Sequence, residues 1–203
     1  MPKWVSVVVV IVVFLAVAAI YERWRLNGLD ACCRKAGFHP IHPFVPAEHP
    51  AVPLLVAKIS GGDGPKRRYG AAIAAQSGDT PVTLTEFEYT PPGRKTSAWF
   101  RLAIWPAQPV PAPFVLIPRG TSALDEVARM ISGPEGSVVA LAEPAVQQTW
   151  LTEKRRRALE AWTHGGQFVL VDGYAGWVTE GLLTPSRAKQ LLALVAEARQ
   201  VID

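Results

Sequence analysis

Three histidines stand close together, His39, His42 and His49, in the pattern H-x2-H-x6-H. Imidazoles at such spacings can share a zinc ion. Each is followed directly by proline, and an extended strap does not by itself bring its side chains to one point. No C-x-x-C or H-E-x-x-H accompanies them. They are weak metal candidates; surface or structural histidine is the expectation, with no metal and no cofactor. Glu86 and Glu88 lie two apart, on one face of a predicted strand. Paired carboxylates can divide acid and base roles. No His or Lys is tied to this pair by a motif, so an edge or solvent face is expected. Asp172 precedes Gly173 and reads as a turn former. Ser60 and Ser77 lack the G-x-S-x-G frame of a nucleophile elbow. Gly61-Gly62-Asp63-Gly64 lacks the G-K-[ST] ending of a phosphate loop. No catalytic residue is expected.

Basic residues gather in three places. Lys66-Arg67-Arg68 and Arg94-Lys95 fall at predicted hairpin tips. Lys154-Arg155-Arg156-Arg157 opens a predicted helix, the end where the helix dipole disfavours cations. Lys66, Arg67, Arg68, Arg155, Arg156 and Arg157 are candidate contacts for an acidic partner or anionic lipid, at about 1 kcal/mol per cation near a surface. The chain's net charge is only +4, and half of it lies in residues 1–26. That is not a nucleic-acid-binding balance.

These groups must be held by something, and the apolar residues say by what. The 203 residues are 49% hydrophobic and 19% charged, with a mean hydropathy of +0.16. The excess is pooled in Trp4–Tyr21, WVSVVVVIVVFLAVAAIY, which has no charge. As a helix it spans roughly 27 Å, the short end of a bilayer core. Its β-branched run, Val7–Val13, would favour a strand in water. In lipid the backbone must satisfy its own hydrogen bonds, which forces helix. Trp4 at one end and Tyr21 and Trp24 at the other occupy the positions of interfacial aromatics, with Arg23 and Arg25 as basic flanks. Ala16-Val17-Ala18 has the small-x-small form of a cleavage site. The single side-chain cation before the span, Lys3, and the more basic flank after it favour an uncleaved anchor. Arg23, Arg25, Arg34 and Lys35 against Lys3 place the N-terminus outside and the following domain in the cytoplasm. Adjacent Cys32 and Cys33 are poorly placed for a disulfide and suit a reducing compartment.

The remainder, residues 27–203, is long enough for one core. Leu26, Leu29, Cys33 and Ala36 form an amphipathic stripe that continues the helix, with or without a break at Asn27-Gly28, and ends at Gly37. Pro-rich straps are predicted at 38–53 and 106–113. Strands are predicted at Leu54–Ser60, Tyr69–Gln76, Pro81–Thr90, Ser97–Trp105 and Phe114–Ile117, separated by Gly, Pro and Asp turns. Ser122–Ile131 reads as a helix, and a second starts at Thr152. Phe168–Asp172 and Gly176–Thr179 read as a hairpin. Thr184-Pro185 opens a last helix with Thr at N-cap and Pro at N1. The expected fold is α+β: an N-terminal transmembrane helix (1–26), then one domain with a mainly antiparallel sheet and helices packed on one face. Seven tryptophans are many for this length; the five in the domain are expected in the core, with some available to a partner surface.

Leu29–Phe38, the Phe-x-Leu-x-Pro form of Phe114–Pro118, and Leu151–Val171 carry a resemblance. In these stretches the chain resembles a loose class of single-pass bacterial membrane proteins with an α+β domain. The class implies a fold and no activity. The functional expectation is a non-enzymatic accessory subunit. Its helix would pack in the inner-membrane bilayer against an integral membrane protein complex, photosynthetic or respiratory, and its domain would cap the cytoplasmic face. The alternatives are a membrane-tethered enzyme or small-ligand-binding domain using the histidine strap or Asp172, and binding to an anionic lipid surface.

Overall fold

The computed structural model describes residues 3–35, 38–41, 44–60, 68–90, 95–110, 113–118, 138–141 and 149–203. A single helix, α1 (Lys3–Lys35, 33 residues), opens the chain. At 1.5 Å per residue it is about 50 Å long. It runs through Asn27 and Gly28 without a break. Its apolar window has a mean hydropathy of 2.9 with no part buried. Val10, Phe14 and Ile20 are two-thirds exposed or more, a surface that only lipid or another apolar partner can cover. By length and composition this helix can cross a membrane. Near its end the character changes: Arg25 and Leu29, four residues apart and so on one face, are buried against the domain.

The domain is built on one eight-stranded sheet in the order β1-β2-β3-β4-β8-β7-β5-β6, with every neighbouring pair antiparallel. The strands are β1 (His39–Pro40), β2 (Arg68–Ser77), β3 (Thr80–Tyr89), β4 (Ala98–Pro106), β5 (Phe114–Pro118), β6 (Val138–Leu141), β7 (Gln167–Val171) and β8 (Tyr174–Glu180). Tight turns at Gly78-Asp79 and Asp172-Gly173 close the β2–β3 and β7–β8 hairpins, with Gly78 at φ 61° and Gly173 at φ 74°. Asp172 is an exposed turn residue. The predicted helix at Ser122–Ile131 lies outside the described residues.

Alternation along the strands divides the core between the two sheet faces. On β4, Phe100, Leu102 and Ile104 face one way and Ala103 and Trp105 the other. The Trp105 face is covered by the end of α1, by α3 (Glu153–Glu160) and by α4 (Pro185–Ile202). Thr152 and Thr184 cap α3 and α4 through their side chains, each accepting from the backbone N–H three residues on. Leu191, Val195, Ala198 and Ile202 form the buried stripe of α4. The Phe100 face is covered by α2 (Val52–Ile59), whose Val52, Leu55 and Val56 are fully buried. This corrects the expected strand at Leu54–Ser60 and shortens the first strap. Pro53 falls in the first turn of α2, where a missing N–H breaks no intrahelical bond. The strap also contains a 3-10 turn at Pro46–Glu48. Of the domain tryptophans, Trp105, Trp150, Trp162 and Trp177 are buried and Trp99 is half-buried.

Candidate functional site

Among the described residues the densest polar arrangement lies where α1 meets the sheet. Arg25 is 3% exposed and Glu86, in the middle of β3, is 0% exposed. Their side chains form a bidentate pair: Nη1 donates to Oε2 at 3.0 Å and Nη2 to Oε1 at 2.7 Å. Arg25 Nε and Nη2 also donate to Glu22, one turn back on α1. Nη1 makes a further bond to the carbonyl of Leu183 at 2.9 Å. All five guanidinium N–H groups are thereby used. Glu86 is equally saturated, since Ala71 N–H donates to Oε1 at 3.2 Å and Leu183 N–H to Oε2 at 2.6 Å.

Local backbone structure creates this geometry. The β2–β3 register runs from Tyr69↔Phe87 to Ala72↔Thr85, so Gly70 and Ala71 both oppose Glu86, a β-bulge. The bulge turns the Ala71 N–H onto the carboxylate. Gly70 leaves room for it: a Cβ there would lie 2.3 Å from Glu86 Oε1. Leu183 comes from the β8–α4 connection. The node therefore joins α1, the β2–β3 hairpin and the start of α4. A buried, paired and fully hydrogen-bonded charge is costly to break, by about 3–5 kcal/mol when one partner is removed.

The expected solvent-face position of Glu86 is thus corrected. The β-bulge and a partner 61 residues away take it inside. Glu88, two residues on and on the same face of β3, is half-buried and paired with Arg68 at 3.9 Å. Among the expected interfacial residues, Trp4, Tyr21 and Trp24 are exposed, with Tyr21 and Trp24 6.2 Å apart. Arg23 is exposed. Arg25 instead turns to the domain.

The remaining candidates are dispersed. His39 is exposed on the edge strand β1, opposite Ala74. His49 is half-buried. Its Nδ1 accepts from the Ala51 N–H at 3.2 Å, at the entry to α2, and its ring stands edge-on to Tyr174 at 5.9 Å. Burial lowers its pKa below the usual histidine value. His42, Lys66 and Arg67 lie outside the described residues. Among the described residues no three His, Cys, Asp or Glu side chains form a group that could hold a metal. The cations of α3 are largely engaged within the domain. Arg155 lies 4.1 Å over the Trp150 ring and donates to the carbonyls of Trp150 and Asp203. Arg156 and Arg157 both pair with Glu153, at 3.9 and 2.9 Å. Arg101, Arg187 and His164, which the sequence reading passed over, line a pocket between β4, β8 and α4. No motif marks them; only the strand register and the N-terminal turn of α4 bring them together.

No family model, curated protein or solved structure matches this chain.

Proposed function

We propose that the chain is a non-enzymatic accessory subunit of a larger membrane protein complex, with α1 packed in the bilayer and the sheet domain covering the adjacent face of the complex. One observation carries this reading. An exposed apolar helix long enough to span a bilayer continues without interruption into a segment fixed to the domain by the buried Arg25–Glu86 pair. A soluble enzyme that needs only tethering is served by a flexible linker, and here a rigid junction stands in its place. The cation asymmetry, with Arg23, Arg34 and Lys35 after the span and Lys3 before it, supports a cytoplasmic domain in a bacterial inner membrane. Photosynthetic and respiratory assemblies are candidate hosts.

The test is co-migration of the full chain, extracted from native membranes in mild detergent, compared with a variant in which Arg25 and Glu86 are both replaced by Ala. A stoichiometric integral membrane partner that is retained by the native chain and lost by the membrane-inserted variant supports the reading. Migration of the native chain as a free monomer refutes it.

A further inference from the structure

A pocket of about 360 Å³ opens between β4, β8 and α4. Arg101 and Thr179 are direct register partners on β4 and β8. They share the α4-facing side of the sheet with Trp177. Arg187, on the first turn of α4, and His164, whose Nε2 already lies 3.0 Å from Glu197 Oε2, complete the polar wall. No Asp or Glu is among the described residues that line it.

The polar inventory of this pocket is unbalanced. Arg101 Nε, Trp177 Nε1 and Thr179 Oγ1 are buried and have no hydrogen-bond partner. They are half of all such side-chain atoms among the described residues, gathered in one place. Native proteins leave only a few buried polar groups per hundred residues unmet, and a cluster of them calls for an explanation. Among the described residues Arg101 makes one hydrogen bond, from Nη2 to the carbonyl of Glu180 at 2.6 Å. Arg187 is bound to the neutral Gln190, at 3.0 Å. The carboxylate directly across from Arg101 in the β3–β4 register is Glu86, and both of its oxygens are already committed to Arg25 and to backbone N–H groups. Burial and the proximity of Arg187 lower the Arg101 pKa below the usual guanidinium value, as expected for a cation without its counter-charge.

The geometry points to an anion-binding pocket that takes a phosphate group between Arg101 and Arg187, with Thr179 and Trp177 as neutral donors. Two guanidinium groups suit phosphate through charge-assisted hydrogen bonds. The shared chemistry is the phosphate itself, from a soluble phosphorylated molecule or from a lipid headgroup. The second source is within reach because the β8–α4 connection that flanks Arg101 through Gly181 also carries Leu183, which bonds Arg25 at the end of the membrane helix. This inference does not rest on the accessory-subunit reading.

The experiment is thermal unfolding of the full chain in phosphatidylcholine nanodiscs. Inorganic phosphate is compared with chloride at equal ionic strength, and then phosphatidic acid is added to the discs. The native chain is expected to gain about 5–10 °C near saturation. A gain from inorganic phosphate that survives phosphatidic acid assigns a soluble ligand. A gain from phosphatidic acid that abolishes the phosphate response assigns a headgroup. Arg101→Met is expected to raise the melting temperature in chloride, because it removes an uncompensated cation, and to erase the phosphate response. A purely structural Arg101 would give the opposite first result. Arg187→Gln, at an exposed position, keeps the fold and weakens the response at least tenfold in midpoint. Absence of any response in the native chain, or equal responses in both variants, overturns the assignment.

Discussion

Replacing Arg25 by Ala probes the junction most directly. The substitution removes five hydrogen bonds and leaves the Glu86 carboxylate at 0% exposure with only the N–H groups of Ala71 and Leu183. Removing one partner of a buried pair costs about 3–5 kcal/mol. At about 2–4 °C per kcal/mol for a chain of this size, the melting temperature falls by roughly 6–20 °C. Arg157→Ala is the internal reference. It breaks the Glu153 pair at 2.9 Å, in which both side chains are largely exposed, and such a pair is worth below about 1 kcal/mol. Adding Glu86→Gln to Arg25→Ala removes the stranded charge while keeping an amide oxygen for one of the two backbone donors. It recovers roughly half of the loss, a non-additivity that only a direct pair produces. The assay is thermal unfolding of the full chain in nanodiscs followed by circular dichroism. If Arg25→Ala shifts the melting temperature no more than Arg157→Ala does, the node holds nothing and the reasoning fails.

Three other outcomes follow from the same structure. Gly70→Ala pushes a methyl group into Glu86 Oε1 and costs about 1–3 kcal/mol; urea unfolding should show the cost shrinking when Glu86 is also replaced by Ala. His49 has a folded pKa below its unfolded value, so the unfolded chain binds the extra proton. Its contribution is present above the unfolded pKa and lost as pH falls. The melting temperature should therefore drop between about pH 7 and 5, with a shallower slope in His49→Asn. Val10→Arg places a charge in the middle of the exposed apolar run at a cost of about 2.5–3.5 kcal/mol for insertion; carbonate extraction should release a larger share of the variant from membranes, and equal retention contradicts a spanning α1.

Much of the fold was legible because local signals agreed with the final contacts. Alternation and glycine turns marked β2, β3, β4, β7 and β8, and Thr184-Pro185 marked the start of α4. Residues 54–60 misled because Leu-Leu-Val reads as a buried strand, while the helical alternative is stabilised by a sheet face built from Phe87, Phe100 and Leu102, distant in sequence. The candidate site was largely illegible. Glu86 looks like any strand carboxylate until the bulge at Gly70–Ala71 and a guanidinium from another element enclose it. Arg101, Thr179 and Arg187 are ordinary surface residue types whose meeting depends on strand order. The long helix that carries Trp4, Tyr21 and Trp24 was readable because its apolar run is a signal local to one element.

The unbroken course of α1 has a consequence for encounter with other molecules. From Tyr21, at the end of the apolar run, to Arg25, held by the sheet, is a single helical turn of about 6 Å. A globule on a slack leash would sweep a hemisphere above the bilayer and present every side in turn. With α1 in a bilayer, as proposed, the helix would act as a spindle: the globule would turn with it about the membrane normal, and one side would stay toward the lipid. A partner that grips both the spindle and the globule therefore immobilises one body rather than two, and the loss of translational and rotational freedom is incurred once.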